Sequence, residues 1–183
     1  EELKLTVPVT DGSCARSSYA VDTYPNIFVV DPAAWRAGRV AGYGALVRDP
    51  NNLIDLPKGF SYRVISRFGN IMDDGFVVPS AGDGMGAFAA GKGKVALVRN
   101  HELNIRDARF GPFTGKVADD FATYDRGKDG MPLPGGTTTL IYDLKSQRLE
   151  KQWLSLSGTI RNCAGGITPW GSWLTCEENV TRA

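Results

Sequence analysis

The feature that most constrains the fold is the density of turn-forming residues between short apolar runs. The chain contains 22 glycines and 10 prolines in 183 residues, which is above the roughly 12% that these two residues reach in average proteins. Breaks this frequent leave no room for long helices, while the 42% of hydrophobic residues can supply a core. The combination predicts a mainly β fold of short strands, and the length suits one domain with a sizeable core.

Local patterns place the individual strands. Residues 60–66 and 137–143 are rich in aromatic or β-branched residues, which favour strands. A Gly-Lys-Gly turn precedes residues 94–99 and makes them the return arm of a hairpin. We also expect strands at residues 148–157 and 172–176, a long loop at residues 103–134, and one short helix at residues 32–38 that is capped by Asp31 and ends near Gly38.

A weak internal repeat joins two of these regions. Residues 83–102 and residues 163–178 each contain small glycines, an aromatic residue, a turn, an apolar strand and a terminal glutamate. Glu102 and Glu177 are 75 residues apart, which exceeds the about 40 to 50 residues of one propeller blade. The loop before Pro134 would account for the excess, and chance similarity between two hairpins is the alternative interpretation.

Charge and composition exclude several functions. The 21 basic and 20 acidic side chains give a net charge of +1, which is too balanced for a nucleic-acid footprint. No apolar stretch is long enough for a transmembrane helix. His101 is the only histidine, so a His-rich zinc site is impossible and any His-based catalytic triad would depend on it alone. Taken alone, residues 99–102 are more typical of a strand that ends in a polar loop than of a functional site.

Two further motifs fail. Residues 86–93 nearly match the phosphate-binding loop GxxxxGK(S/T), but Gly93 replaces the hydroxyl and a strand follows instead of a helix, so no nucleotide site is expected. Cys14, Cys163 and Cys176 have no CxxC spacing and define neither a disulfide framework nor a zinc site. The chain begins Glu-Glu, without Met or an apolar leader, so we expect a processed or incomplete chain.

Residues 157–179 are the segment richest in possible chemistry. The paired carboxylates of Glu177 and Glu178 can bind a hard cation, and a nearby cysteine thiolate favours a softer or redox-active metal. Arg161 can bind a pair of phosphate oxygens with its planar fork. The alternative is that Cys163 and Cys176 are buried small hydrophobes and that the glutamates are solvated strand-end charges. A disulfide between the two cysteines is a third possibility.

Several short stretches between residues 40 and 180 form a specific ordered set, although none is specific alone. They are Gly42-Tyr43-Gly44, residues 56–66, Met72-Asp73-Asp74-Gly75, Asp83-Gly84-Met85, and residues 97–102, 135–140, 161–166, 168–171 and 174–178. On these residues the chain resembles the PhoX family of secreted alkaline phosphatases.

The resemblance implies a partial β-propeller with several antiparallel blades, incomplete in this chain, and little helix. It divides the chain into residues 1–39, an N-terminal extension with the short helix, and residues 40–183, an incomplete β-propeller phosphatase domain. Family members are much longer, so we expect a monomeric fragment that is inactive alone and lacks ligands from later blades. The family also implies folded export by the twin-arginine route to the periplasm or the cell exterior.

The chemistry that the resemblance implies is that of a metal-dependent phosphomonoesterase. It would release inorganic phosphate from small phosphate monoesters, with Fe³⁺ and Ca²⁺ as its metals. Carried over by motif, the metal ligands are Cys163 for iron and, as candidate carboxylates, Glu102, Glu177 and Glu178, with the choice within the glutamate pair left open. Arg161 and Asn162 are expected beside the phosphate. The rival functions are a calcium-bound β-propeller lactonase or esterase and a non-catalytic propeller binding module.

Overall fold

The computed structural model of the chain describes residues 25–31, 44–114, 117 and 120–179. These residues form ten strands and one 3-10 helix, Ile105–Phe110. The strands are β1 (Pro25–Asp31), β2 (Leu46–Val47), β3 (Leu56–Pro57), β4 (Ser61–Arg67), β5 (Gly82–Ala89), β6 (Lys94–His101), β7 (Gly135–Asp143), β8 (Arg148–Thr159), β9 (Asn162–Ile167) and β10 (Trp173–Glu177). The predicted helix at residues 32–38 lies outside the described residues.

The main structural unit is a four-stranded antiparallel sheet in the order β5-β6-β7-β8. Each of its strands pairs with the next one along the chain, as short connections favour. Three two-stranded antiparallel sheets, β1-β4, β2-β3 and β9-β10, accompany it. The prediction of a mainly β fold with little helix is therefore confirmed, and no sheet closes on itself within the part of the chain that the structure describes.

Strand β7 lies between two partners and is buried on both faces along most of its length. Its run of three threonines followed by Leu140 and Ile141 suits this position, because β-branched side chains pack well on a pleated surface. Leu140 pairs with Leu97 of β6, and these two residues form the centre of the core. Ile65 of β4 packs against them, so β4 covers this face of the sheet.

The end of β6 is polar but fully buried. Arg99, Asn100 and His101 have no solvent exposure. Side chains alternate between the two faces of a strand, so Arg99 reaches Ser66 of β4 on one face while Asn100 reaches the backbone of β9 on the other. The expectation that residues 99–102 end a strand is correct, but they end it in the interior and not in a solvated loop.

The segment at residues 103–134 is mostly loop, as predicted, and differs at one place. Asn104 caps the helix Ile105–Phe110 with a capping box in which the Asp107 carboxylate accepts from the Asn104 backbone amide. Such reciprocal capping satisfies amide groups that would otherwise lack a partner. Among the described residues, no helix is long and apolar enough to cross a membrane.

The two cysteines in the described region have different environments. Cys163 is buried and Cys176 is exposed, and the structure forms no disulfide between them. The interpretation of Cys176 as a buried small hydrophobe is therefore wrong. It lies on β10, a strand with a single partner, and its side chain is on the face that the alternation of this strand leaves open to solvent.

Candidate metal centre

Two β-bulges shape the candidate site. In the hairpin β5-β6, Gly82 pairs with His101 and Met85 pairs with Arg99, so Asp83 and the next residue both face a single partner. A bulge bends the strand and changes the direction of its side chains, which is why bulges often occur beside functional sites. Here the bulge determines where Asp83 points.

The hairpin β9-β10 carries the second bulge at the corresponding place. Asn162 pairs with Glu177 and Gly165 pairs with Thr175, so Cys163 and the residue after it face one partner. The two regions joined by the sequence repeat are thus both antiparallel hairpins. Each has its bulge in the first strand, and each bulge begins at a residue that can bind a metal.

Asn100 joins the two hairpins. Its Nδ2 donates to the carbonyl oxygens of Cys163 and Ala164 at 2.9 Å and 3.0 Å, and its Oδ1 accepts from Trp173 Nε1 at 2.9 Å. The hairpins also need a small residue where they meet, because a Cβ on Gly84 would lie 2.6 Å from the Cys163 oxygen. This close approach brings the first bulge next to the second.

The approach assembles a cluster of three candidate ligands, Asp83, Glu102 and Cys163. Their carboxylate oxygens and sulfur all lie within 4.8 Å of one another. Asp83 is exposed, Glu102 is half-buried and Cys163 is buried, so the cluster opens to solvent on one side. Two oxygens and one thiolate fit a transition metal such as iron better than Ca²⁺ alone, because Ca²⁺ takes oxygen ligands and thiolates prefer softer metals.

The electrostatics of the cluster favour a bound cation. Although Asp83 is exposed as a residue, partial desolvation of its carboxyl group raises its pKa, a hydrogen bond with Cys163 lowers it, and the hydrogen bond and charge of Glu102 raise it further. Two carboxyl groups this close disfavour each other's ionisation. A metal ion would reverse this effect, since its charge stabilises the ionised form of each ligand.

Arg161 lies at the edge of the cluster in a strained backbone conformation. Its φ angle is 52°, in the left-handed region that residues other than glycine rarely adopt. Its Nη2 donates to Glu102 Oε1 at 2.9 Å and to Glu178 Oε2 at 3.3 Å. Strain of this kind is concentrated at functional sites, and here it places a partly exposed guanidinium beside a candidate ligand.

The other two residues that the sequence singled out have different surroundings. Asn162 is fully buried, where its Oδ1 accepts from the Thr159 hydroxyl and its Nδ2 donates to Thr175 Oγ1 at 2.9 Å. Glu177 Oε1 accepts from the backbone amide of Ile160 at 2.7 Å. The structure therefore gathers Glu102, Cys163, Arg161 and Glu178 at one place, with Asn162 and Glu177 directed towards the strands that support it.

Asp83 is the member of the cluster that the sequence motifs did not single out as a candidate ligand. Asp83 belongs to one of the stretches that resemble the family, and it is the first residue of the first copy of the repeat, as Cys163 is of the second. That shared position was the available signal. Pairing each potential ligand of one copy with its counterpart in the other would have predicted Asp83.

Together, fold and site define a mainly β protein with a cluster of two carboxyl groups and a cysteine sulfur beside an arginine. The family model of alkaline phosphatase PhoX matches residues 41–148 and 126–183. The chain therefore belongs to the PhoX alkaline phosphatase family, as the sequence motifs predicted. No curated protein and no solved structure matches the chain.

Proposed function

We propose that this chain is part of a metal-dependent phosphomonoesterase that releases inorganic phosphate from small organic phosphate monoesters. The observation that carries the proposal is the meeting of Asp83, Glu102 and Cys163 within 4.8 Å beside a guanidinium that already contacts Glu102. Family membership supports a phosphatase, and the cluster supplies a place where its metal would bind.

Iron as Fe³⁺ is the proposed occupant of the cluster, with Ca²⁺ at carboxylate oxygens nearby. Asp83, Glu102 and Cys163 would hold the iron, and three protein ligands leave room for substrate. The motif supplies one further candidate carboxylate from the pair Glu177 and Glu178, and Glu178 is the member that lies beside the Arg161 guanidinium. When bound, the metal supplies Lewis-acid polarisation of the phosphoryl oxygens.

Arg161 is the proposed phosphate-binding residue. Its planar fork matches a pair of phosphate oxygens, and Glu102 and Glu178 hold the guanidinium at the open side of the cluster. There it can stabilise the charge that develops on the transferred group. Asn162, the first residue of β9, supports this arrangement, because its buried amide bonds to Thr159 of β8 across the turn that carries Arg161 and to Thr175 of β10.

The proposed architecture is a β-propeller of which residues 40–183 form a part. The sheet β5-β6-β7-β8 is four-stranded and antiparallel, which is the usual composition of a propeller blade, and β9-β10 would begin the next blade. We place the protein in the periplasm or outside the cell, exported in folded form. Export after folding would allow the metal to be loaded first.

Measurements on the full-length protein test the proposal. Purified protein is assayed for iron and calcium content and for phosphate release from a generic aryl phosphate, before and after treatment with a chelator and after metal is restored. We expect release that the chelator abolishes and iron restores. Lactone opening without phosphate release would select the lactonase alternative, and metal binding without either activity would select a binding module.

A further inference from the structure

The two bulged hairpins match residue by residue beyond their bulges. Ala81 and Arg161 precede the first strand of each hairpin and have φ angles of 50° and 52°. The amide of Glu102 donates to the Ala81 oxygen at 2.8 Å, and the amide of Glu178 donates to the Arg161 oxygen at 3.0 Å. Glu178 is thus the structural counterpart of Glu102. One residue earlier, Glu177 is the counterpart of His101.

His101 connects the end of β6 to the backbone before β5. Its Nδ1 lies 2.8 Å from the Ser80 carbonyl oxygen, which can only accept, so Nδ1 carries the hydrogen. Its Nε2 lies 2.9 Å from Thr138 Oγ1, and this oxygen accepts from Arg99 Nη2 at 3.2 Å. With the single hydrogen of the neutral ring on Nδ1, Nε2 accepts from the Thr138 hydroxyl. The whole chain of bonds is buried, and it ends one residue before Glu102.

Glu177 makes the equivalent bond with the donor and acceptor exchanged, because its side chain accepts whereas the His101 side chain donates. Its Oε1 accepts from the amide of Ile160 at 2.7 Å. Ile160 and Ser80 occupy corresponding places, since each immediately precedes the residue with positive φ. In both hairpins, the side chain that ends the second strand is bonded to the backbone leading into the first strand. Each bond therefore lies at the end of the hairpin next to the bulge that directs a candidate ligand.

We propose that His101 and Glu177 are equivalent positioning residues that fix the two bulges, and that neither is a metal ligand. This inference rests on the proposed metal centre. The bond to Ser80 holds the two strand ends that carry Asp83 and Glu102, and the bond to Ile160 does the same around Cys163. Residues that orient ligands in this way commonly change metal affinity by about 10- to 100-fold when they are removed.

A positioning residue and a metal ligand should respond differently to conservative substitution. The bond that Glu177 makes needs an acceptor oxygen and no charge, so Glu177→Gln keeps it and Glu177→Ala removes it. An asparagine at position 101 can place its amide nitrogen where Nδ1 lies, so His101→Asn keeps the donor to Ser80 while His101→Leu loses it. A ligand carboxylate such as Glu102 tolerates no such exchange, because an amide binds a cation more weakly than a carboxylate.

Titration of the full-length apoprotein with Co²⁺ tests the inference, because a thiolate bound to Co²⁺ has a charge-transfer absorption in the near ultraviolet that reports Cys163. We expect Glu177→Gln and His101→Asn to bind Co²⁺ within about twofold of the wild type. Glu177→Ala and His101→Leu should bind about tenfold or more weakly, as should Glu102→Gln, the comparison for a true ligand. Circular dichroism checks that each variant folds.

Each outcome decides between the proposals. If Glu177→Gln weakens binding as much as Glu102→Gln does, Glu177 is a ligand and the inference is wrong. If Glu177→Ala and His101→Leu bind as the wild type does, the bonds to Ile160 and Ser80 have no positioning role. If the wild type shows no thiolate absorption that Cys163→Ser abolishes, the metal centre itself is wrong, and the inference falls with it.

Discussion

Replacement of Gly84 by alanine tests whether close contact between the two hairpins builds the metal centre. The new Cβ would lie 2.6 Å from the Cys163 carbonyl oxygen, 3.3 Å from Asn100 Nδ2 and 3.4 Å from the Ala164 Cα. The first distance is below any ordinary contact, and its neighbour is backbone that cannot rotate away. The hairpins must therefore separate.

The structure sets the size of the effect. Ordinary contact begins at 3.4 Å, so the Cys163 backbone must move by about 0.8 Å relative to β5. Such a shift would lengthen the 2.9 Å and 3.0 Å bonds from Asn100 beyond hydrogen-bonding range. Overpacking costs about 1 to 3 kcal/mol and each lost bond about 1 kcal/mol. With both bonds lost, we expect a decrease of about 3 to 5 kcal/mol in the free energy of unfolding.

The assay combines denaturant unfolding with iron analysis of the purified protein. Gly84→Ala should lose stability and about tenfold or more of its iron affinity, since the ligands on either side of the contact move apart. Gly166→Ala is the matched control on β9, because a Cβ there meets nothing within 4 Å. That control should stay within about 0.5 kcal/mol of the wild type. Equal stability and equal iron affinity in Gly84→Ala would refute the reasoning.

Three further predictions concern single side chains. Cys163→Ser should lower iron content and phosphatase activity together, whereas Cys176→Ser should change neither, because Cys176 is exposed. Metal analysis and phosphatase assays of both variants check this. Equal iron content and activity in the two variants would remove Cys163 from the site. Arg161→Gly should abolish phosphate release without loss of thermal stability, since glycine adopts the φ of 52° without strain; retained turnover would contradict it. Tyr62→Phe should raise the pKa of Asp49, because the Tyr62 hydroxyl is the main cause that lowers this pKa from 3.8 to about 2. The stabilisation from Asp49 is complete above about pH 3.8 and is lost as the pH falls through about 2. The variant should therefore lose stability at a higher pH on acidification, and an acid transition identical to that of the wild type would count against this hydrogen bond.

Most strands of the sheet could be predicted from local pattern. The predicted strand at residues 94–99 became β6, and those at 137–143 and 148–157 became β7 and β8 with ends that differ by two residues or fewer. Turn residues and alternation are properties of neighbouring residues, so they are visible without a partner. The pairing of β1 with β4 was not predictable in this way, because its partners lie 30 or more positions apart along the chain, as Asp31 and Ser61 do.

Residue types alone left two interpretations of residues 157–179 open, a metal site or buried cysteines with solvated glutamates, and they did not determine which side chains meet. A cysteine near carboxylates and an arginine pointed to a metal and an anionic substrate as one of these interpretations, and the weak repeat pointed to two similar hairpins. Whether Asp83 belonged to the site depended on how its bulge faced the second hairpin. Likewise, two adjacent glutamates at the end of β10 look alike in sequence, yet Glu177 bonds to Ile160 and Glu178 reaches Arg161.

Tertiary structure decided these points for a physical reason. Side chains alternate between the faces of a strand, so a shift of one residue in register exchanges every inward and outward position. Each bulge makes such a shift within its own hairpin, and whether its residues form a site depends on contact with the other hairpin, which is far away in sequence. The chain's composition and turns therefore determine that it folds into short antiparallel strands, whereas the contact between β5 and β9 determines which carboxylates meet the buried thiol.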